Sequence, residues 1–154
     1  MSGAPHSARN GNLTFMLGGP SSLLERWYPP FASMGSQIHH LGELGAGMSV
    51  KVLNNYVASS SVVTVRRVLD ACQALNVSPE KLLQIMSESS GGTWYGNQFH
   101  EIDWAREGYS AENTIGILEK DVKSFLKAIE ADPLPEDSLL LERLRRLKRF
   151  ETEE

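Results

Sequence analysis

Apolar positions along the chain fall into two regimes. Up to about residue 44 they come in short runs broken by turn residues. Leu13–Leu17 is a brief apolar stretch ended by Gly18-Gly19-Pro20, and its length and glycine stop predict a buried strand. Leu23, Leu24, Trp27 and Phe31 follow at helical spacing, but Pro29-Pro30 predicts a break near Tyr28. Gln37–Leu41 reads as a second short strand. Strand, helix, strand is the order of a parallel sheet, and two short strands do not make a stable sheet alone. Residues 1–12 are small, polar and turn-rich, and residues 1–44 read as the end of a larger sheet domain.

From Gly45 the period changes to three and four. Val50, Leu53, Val57, Ser61, Val65, Val68, Cys72 and Leu75 mark one long helix over about 48–75, with no internal Gly or Pro. Asn76 is placed to stop it. Ser78-Pro79-Glu80 restarts a helix, with serine as cap and proline at the first position, and Leu82, Leu83 and Met86 form its inner side. Trp94, Tyr95, Phe99, Trp104 and Tyr109 have no clean period and predict an irregular connection packed on the core. Ser110 is a candidate cap for a helix carrying Ile115, Leu118, Val122, Phe125 and Ile129. Asp132–Pro135 ends that helix, and a last one carries Leu140, Leu144 and Leu147. The fold class is therefore mainly α: an all-helical domain over 45–154 behind a strand-helix-strand remnant over 1–44.

Composition narrows the class without naming an activity. Of 154 residues, 41% are apolar and 22% charged, which is globular; the net charge of −4 gives no overall electrostatic case for nucleic acid. One cysteine, Cys72, leaves no internal disulfide framework and fits a reducing compartment. No run approaches the roughly 18 apolar residues of a membrane span, and the opening residues have no apolar secretory core. The expected compartment is the cytoplasm or the mitochondrial matrix.

The chemistry concentrates in Gly45–Asn55. Two glycines precede a helix start, Lys51 stands in its first turns, and Asn54 and Asn55 follow three and four positions later, as its neighbours on the helix surface. Glycines let a ligand or another backbone approach closely. The positive helix end disfavours a charged lysine, and a lysine tuned toward neutrality serves as a general acid or base. The same pattern also arises in an ordinary glycine turn before a helix with one exposed lysine.

The segment resembles the G-x-G-x-x-x-K-x-x-N-N signature of the 3-hydroxyisobutyrate (β-hydroxyacid) dehydrogenase family, which is related to 6-phosphogluconate dehydrogenase. Ser2-Gly3-Ala4, Ala8 and Gly11–Thr14 resemble the family's substrate loop, S-G-G-x-x-x-A-x-x-G-x-L-T. Phe31–Gly35, His39–Gly47, Leu75–Pro79, Ser89–Gly91, Trp94 and Leu118–Asp121 resemble further stretches of the family in the same order. The resemblance implies a Rossmann domain followed by a helical substrate and dimerisation domain, and hydride transfer from a small 3-hydroxy acid to NAD or NADP. It implies Lys51 as the acid/base group, Asn55 as a substrate ligand supported by Asn54, Ser2 and Gly3 as binders of the substrate carboxylate, and Lys120 beside the cofactor. It also implies a homodimer or homotetramer.

Three positions depart from the family pattern. No G-x-G-x-x-G turn for a dinucleotide is present, Ala4 replaces the second glycine of the loop, and Arg66-Arg67 stands where relatives usually carry an acidic residue. The expectation is therefore the substrate-binding and dimerisation half of an NAD(P)-dependent dehydrogenase, inactive by itself. The alternative is a non-catalytic helical dimerisation module derived from that family.

Other candidates weigh less. Adjacent His39 and His40 on a strand face opposite ways and have no partners at metal-ligand spacing. Cys72 sits on the apolar stripe, which favours packing over nucleophilic use. The basic run over 143–149 is interleaved with acids and reads as a solvated helix face.

Overall fold

The computed structural model describes residues 1–151 and divides into two compact units, Met1–Asn54 and Asn55–Glu154. In the first, β1 (Thr14–Leu17) pairs in parallel with β2 (Gln37–His40), with Thr14 opposite Gln37 and Leu17 opposite His40. Residues 1–12 are not all turn. Pro5–Arg9 forms a one-turn helix, α1, with Pro5 at its start, a position where the missing N–H costs nothing. Ahead of it, Ser2 bridges antiparallel to Thr14 through bonds of 2.8 and 3.0 Å. Phe15 is buried with its ring centroid 4.9 Å from that of Phe31.

The expected break near Tyr28 does not occur. α2 runs from Ser21 to Ala32 straight through Pro29 and Pro30. The prolines stand near the helix end, so only the carbonyls of Glu25 and Arg26 lose their intrahelical donors. Both residues are exposed, and water can satisfy those groups.

α3 spans Ala46–Ala71 without interruption, close to the expected 48–75; a single 3-10 turn over Gln73–Leu75 carries it to Asn76, which ends it with a left-handed φ of 54°. Its inward face differs from the predicted stripe. Val65 and Cys72 are buried, but Leu53, Val57 and Leu75 are 52%, 68% and 73% exposed. Ser59, Val62, Val63, Arg66 and Leu69 are buried in their place. The sequence over 62–72 is apolar on more than one side, so periodicity alone does not say which side the neighbouring helices cover.

In the second unit, Ser78 caps α4 (Pro79–Ser87) by accepting from the Lys81 amide, as expected, and Leu83 is its buried residue. A short α5 (Trp94–Asn97) follows. Tyr95, Phe99, Ile102 and Ala105 are buried, which makes the aromatic stretch core as expected, although Trp94 is 49% exposed. The cap of α6 (Thr114–Ile129) is Asn113, not Ser110: the Asn113 Oδ1 accepts from the amides of Ile115 and Gly116 at 3.0 and 3.2 Å. Ser110 instead opens the turn that precedes it. On α6, Ile115, Leu118 and Val122 are buried, whereas Ile129 at the helix end is exposed. α7 (Pro135–Arg145) buries Leu140 and Leu144.

After α7 the chain doubles back. Tyr109 donates its amide to the Leu147 carbonyl and Phe150 donates to Arg106, both at 2.8 Å. Arg66 holds this pairing from below. Its guanidinium, 2% exposed, donates to the carbonyls of Ala105 and Glu107 at 2.9 Å each and to that of Lys148, and lies 5.5 Å from the Phe150 ring centroid. Among the described residues no helix is long and apolar enough to cross a membrane.

Candidate functional site

In the first unit the glycines at the start of α3 serve another backbone. Gly45 takes φ +96° in the turn, and a Cβ at Gly47 would overlap the Met16 carbonyl oxygen. A Cβ at Gly18 would likewise overlap the Glu43 carbonyl oxygen. The end of β1 and the first turn of α3 are thus in direct backbone contact, which fixes where the helix starts. Lys51 follows in the second turn, half-buried. Burial first, and then the Lys51 charge, hold the Met1 amino group below its ordinary value. Gly3 has φ +136°, and a Cβ there would press on Leu13 and Ser7. Ala4, at φ −83° and ψ 173°, is ordinary extended backbone, so its replacement of a glycine leaves the loop unstrained. Asn54 is exposed.

In the second unit Asn55 is fixed at both ends. Its side-chain Nδ2 donates to Asp121 Oδ2 on α6 at 2.8 Å, and its carbonyl accepts from the buried Ser59 hydroxyl at 2.9 Å. The same hydroxyl lies 3.4 Å from the Leu118 carbonyl, tying α3 to α6 at this level. Lys120, next to Asp121, is exposed. On the opposite side of α6, Glu119 is buried and accepts from the Tyr109 hydroxyl at 2.5 Å, Lys123 at 2.5 Å and Arg145 at 2.7 Å. These donors hold its carboxyl at about 2, far below the usual carboxylate range, with the Arg145 bond the largest cause.

The structure brings Asn55 to Asp121 in the second unit, and in the first unit it carries Lys51 on α3 and Ser2 and Gly3 on the loop before β1. Sequence reasoning did not single out Asp121 or Arg66 for these contacts. Each is a charged residue whose partner is distant in sequence, and only the packing of helices reveals it. His40 Nε2 lies 2.9 Å from the Gly19 carbonyl on an exposed strand. Cys72 is buried, and burial pushes its thiol up. Arg143, Arg145, Arg146, Lys148 and Arg149 are solvent-exposed, with Arg146 paired to Glu142 at 2.6 Å. Among the described residues no group of three or more His, Cys, Asp or Glu could hold a metal ion. An open cleft of about 970 Å³ between the end of α3 and the returning C-terminal segment contains none of the candidate residues.

The elements run β1–α2–β2, a glycine turn, the long helix α3 and then further helices. Residues 1–42 match the NAD binding domain of 6-phosphogluconate dehydrogenase, and residues 45–138 match the family described as NAD-binding of NADP-dependent 3-hydroxyisobutyrate dehydrogenase. The chain belongs to the 3-hydroxyisobutyrate dehydrogenase family. It is 30% identical over 139 residues to 3-hydroxyisobutyrate dehydrogenase of Pseudomonas aeruginosa, covering 85% of this chain and 46% of that one. It is 37% identical over 94 residues to the NAD-dependent L-serine dehydrogenase of the same organism, covering 61% and 32%. The structure of Mycobacterium tuberculosis 3-hydroxyisobutyrate dehydrogenase with L-serine has the same fold at 22% identity, with a TM-score of 0.71 over 96% of this chain and 56% of that one. The chain spans about half the length, or less, of the curated relatives it matches.

NAD or NADP is the cofactor of this family. The 154-residue sequence has no G-x-G-x-x-G turn to take the pyrophosphate at a helix start, and Lys120 is a single exposed ammonium.

Proposed function

We propose that this chain is the substrate-binding and dimerisation half of an NAD(P)-dependent β-hydroxyacid dehydrogenase, with residues 1–44 completing a Rossmann domain and 45–154 forming the helical domain. The observation that carries this reading is that Lys51, in the second turn of α3, and the Ser2–Gly3 loop belong to one compact unit. Ser2 and Gly3 hold the carboxylate of a small 3-hydroxy acid. Lys51 takes the hydroxyl proton, which favours formation of the carbonyl. Asn55, supported by Asn54, binds and orients the substrate, and Lys120 stands toward the cofactor. The family's nucleotide, when bound, supplies the hydride acceptor.

Because the phosphate-binding turn is absent, a polypeptide of residues 1–154 alone binds NAD(P) poorly and does not turn over. Calorimetry with NAD and NADP tests this: no measurable heat of binding at micromolar protein is expected, and tight binding would contradict it. Joined to a nucleotide-binding Rossmann half, the chain should reduce NAD(P) with a 3-hydroxy acid.

The exposed apolar residues of α3, Leu53 and Val57 among them, support a homodimer or homotetramer through this helix. They equally favour the second reading, a non-catalytic dimerisation module, which predicts self-association without turnover in the joined form. The buried Cys72 is compatible with the cytoplasm or the mitochondrial matrix.

A further inference from the structure

Gly18 reads as a simple stop after β1, yet its backbone conformation does not call for glycine. Its φ lies outside the left-handed range that favours that residue. Space is what excludes a side chain. A Cβ at Gly18 would lie 2.5 Å from the Glu43 carbonyl oxygen and 3.1 and 3.2 Å from the amide nitrogens of Gly47 and Ala46. The Glu43 carbonyl accepts from the Ala46 amide at 3.1 Å, so the atom in the way is the one against which α3 opens. Two more backbone bonds hold the same junction: Leu41 donates to Leu17 at 2.8 Å, and Gly19 to Gly42 at 2.7 Å. From the helix side, a Cβ at Gly47 would overlap the Met16 carbonyl oxygen. The face of α3 that carries Gly47 therefore meets β1. Lys51, four residues on, lies on that face one turn later, about 6 Å along the axis. The Ser2–Gly3 loop is tied to the same strand, since Ser2 and Thr14 exchange both backbone bonds.

We infer that Gly18 is a positioning residue for Lys51: its missing side chain lets the end of β1 touch the opening turn of α3, and that contact sets where Lys51 stands relative to the Ser2–Gly3 loop. Loop and lysine are both placed from one strand, the loop from Thr14 and the lysine from Met16 and Gly18. A methyl group at Gly18 must part it from the Glu43 carbonyl by about 1 Å more to reach ordinary contact, and the first turn of α3 moves with that carbonyl. A displacement of that size in a group that takes a proton costs on the order of a hundredfold in rate. Ser2 and Gly3 meet β1 at its other end, so carboxylate binding is spared. This rests on the proposed acid/base role of Lys51 and adds to it the residue that sets the lysine in place.

The test is steady-state kinetics with 3-hydroxyisobutyrate, using the chain joined to a nucleotide-binding Rossmann half, for wild type, Gly18→Ala, Lys51→Ala and the double variant. Gly108→Ala is the control, because a Cβ there would lie 2.9 Å from the Arg149 amide nitrogen, in the second unit. Gly18→Ala should lower kcat about a hundredfold and leave KM within about threefold of wild type. In the Lys51→Ala background it should cost less than about threefold, because a residue that acts through the lysine then has nothing to place. Gly108→Ala should lose thermal stability and keep kcat. Gly47→Ala approaches the same contact from the helix and takes the place of Gly18→Ala if that variant does not fold; if neither folds, the contact serves stability alone and the inference is overturned. Full turnover in Gly18→Ala, equal losses with and without Lys51, or an equal loss in Gly108→Ala would overturn it too, and each would leave the proposed role of Lys51 standing. Undiminished turnover in Lys51→Ala would instead defeat the acid/base reading, and this inference with it.

Discussion

Single atoms decide the outcome at two positions. Gly47 has no room for a side chain, because a Cβ there would overlap the Met16 carbonyl oxygen. Gly47→Ala should cost roughly 1–3 kcal/mol, as overpacking against an immobile backbone does, and should lower the thermal midpoint by several degrees. An unchanged midpoint would show that β1 and α3 are not in contact as described. Glu119 is the second. Its folded carboxyl titrates at about 2, against an ordinary value of 4.5. A depressed carboxyl contributes stability that is present above its unfolded value and is lost as pH falls toward the folded one. Lys123 and Arg145 are half-exposed, so screening limits the contribution to about 1–2 kcal/mol. Denaturant melts between pH 6 and pH 2.5 should show Glu119→Gln less stable than wild type at the upper end, with the gap closing toward the lower. A gap that stays constant with pH would contradict the assignment.

Elements were legible where local signals are strong and less so where neighbours decide. The Ser78-Pro79 start of α4, the Asn76 stop and both strands could be read directly, because caps, glycine stops and short apolar runs act within a few residues. α2 passing through Pro29-Pro30 could not, since the penalty depends on where in the helix the prolines fall and whether the freed carbonyls are wet. The inward face of α3 was misread for a different reason: with apolar residues on several sides, burial is set by α4, α6 and the returning C-terminal segment. Arg66 shows the limit most clearly. A charge in the middle of a helix reads as surface, but here three carbonyls from two separate segments surround the guanidinium. Arg66→Met should leave those carbonyls without donors and destabilise the second unit by about 3 kcal/mol or more. Arg66→Lys should recover only part, because a point ammonium does not reach both segments. Hydrogen exchange should quicken first at Glu107, Tyr109 and Phe150. Exchange that quickens only in α4 would argue against Arg66 as the link.

At the scale of the molecule, the family could be read from the resemblance of its motifs in order, and that resemblance proposes the candidate residues: Lys51, Asn54 and Asn55 lie on one helix, and Ser2 and Gly3 lie on the loop before β1. The contacts that orient those residues were not legible, because they join positions dozens of residues apart, as Asn55 joins Asp121. Self-association belongs to this scale as well. Light scattering at micromolar concentration should return a dimer or larger species, and a stable monomer would count against α3 as an interface. Lys51 as the group that moves the hydroxyl proton is tested by turnover of the chain joined to a nucleotide-binding Rossmann half, with and without Lys51→Ala. Removing an acid/base group lowers kcat without loosening the cofactor. Turnover should fall about a thousandfold or more with NAD(P) affinity nearly unchanged; undiminished turnover in the Lys51→Ala enzyme would show that Lys51 does not move that proton.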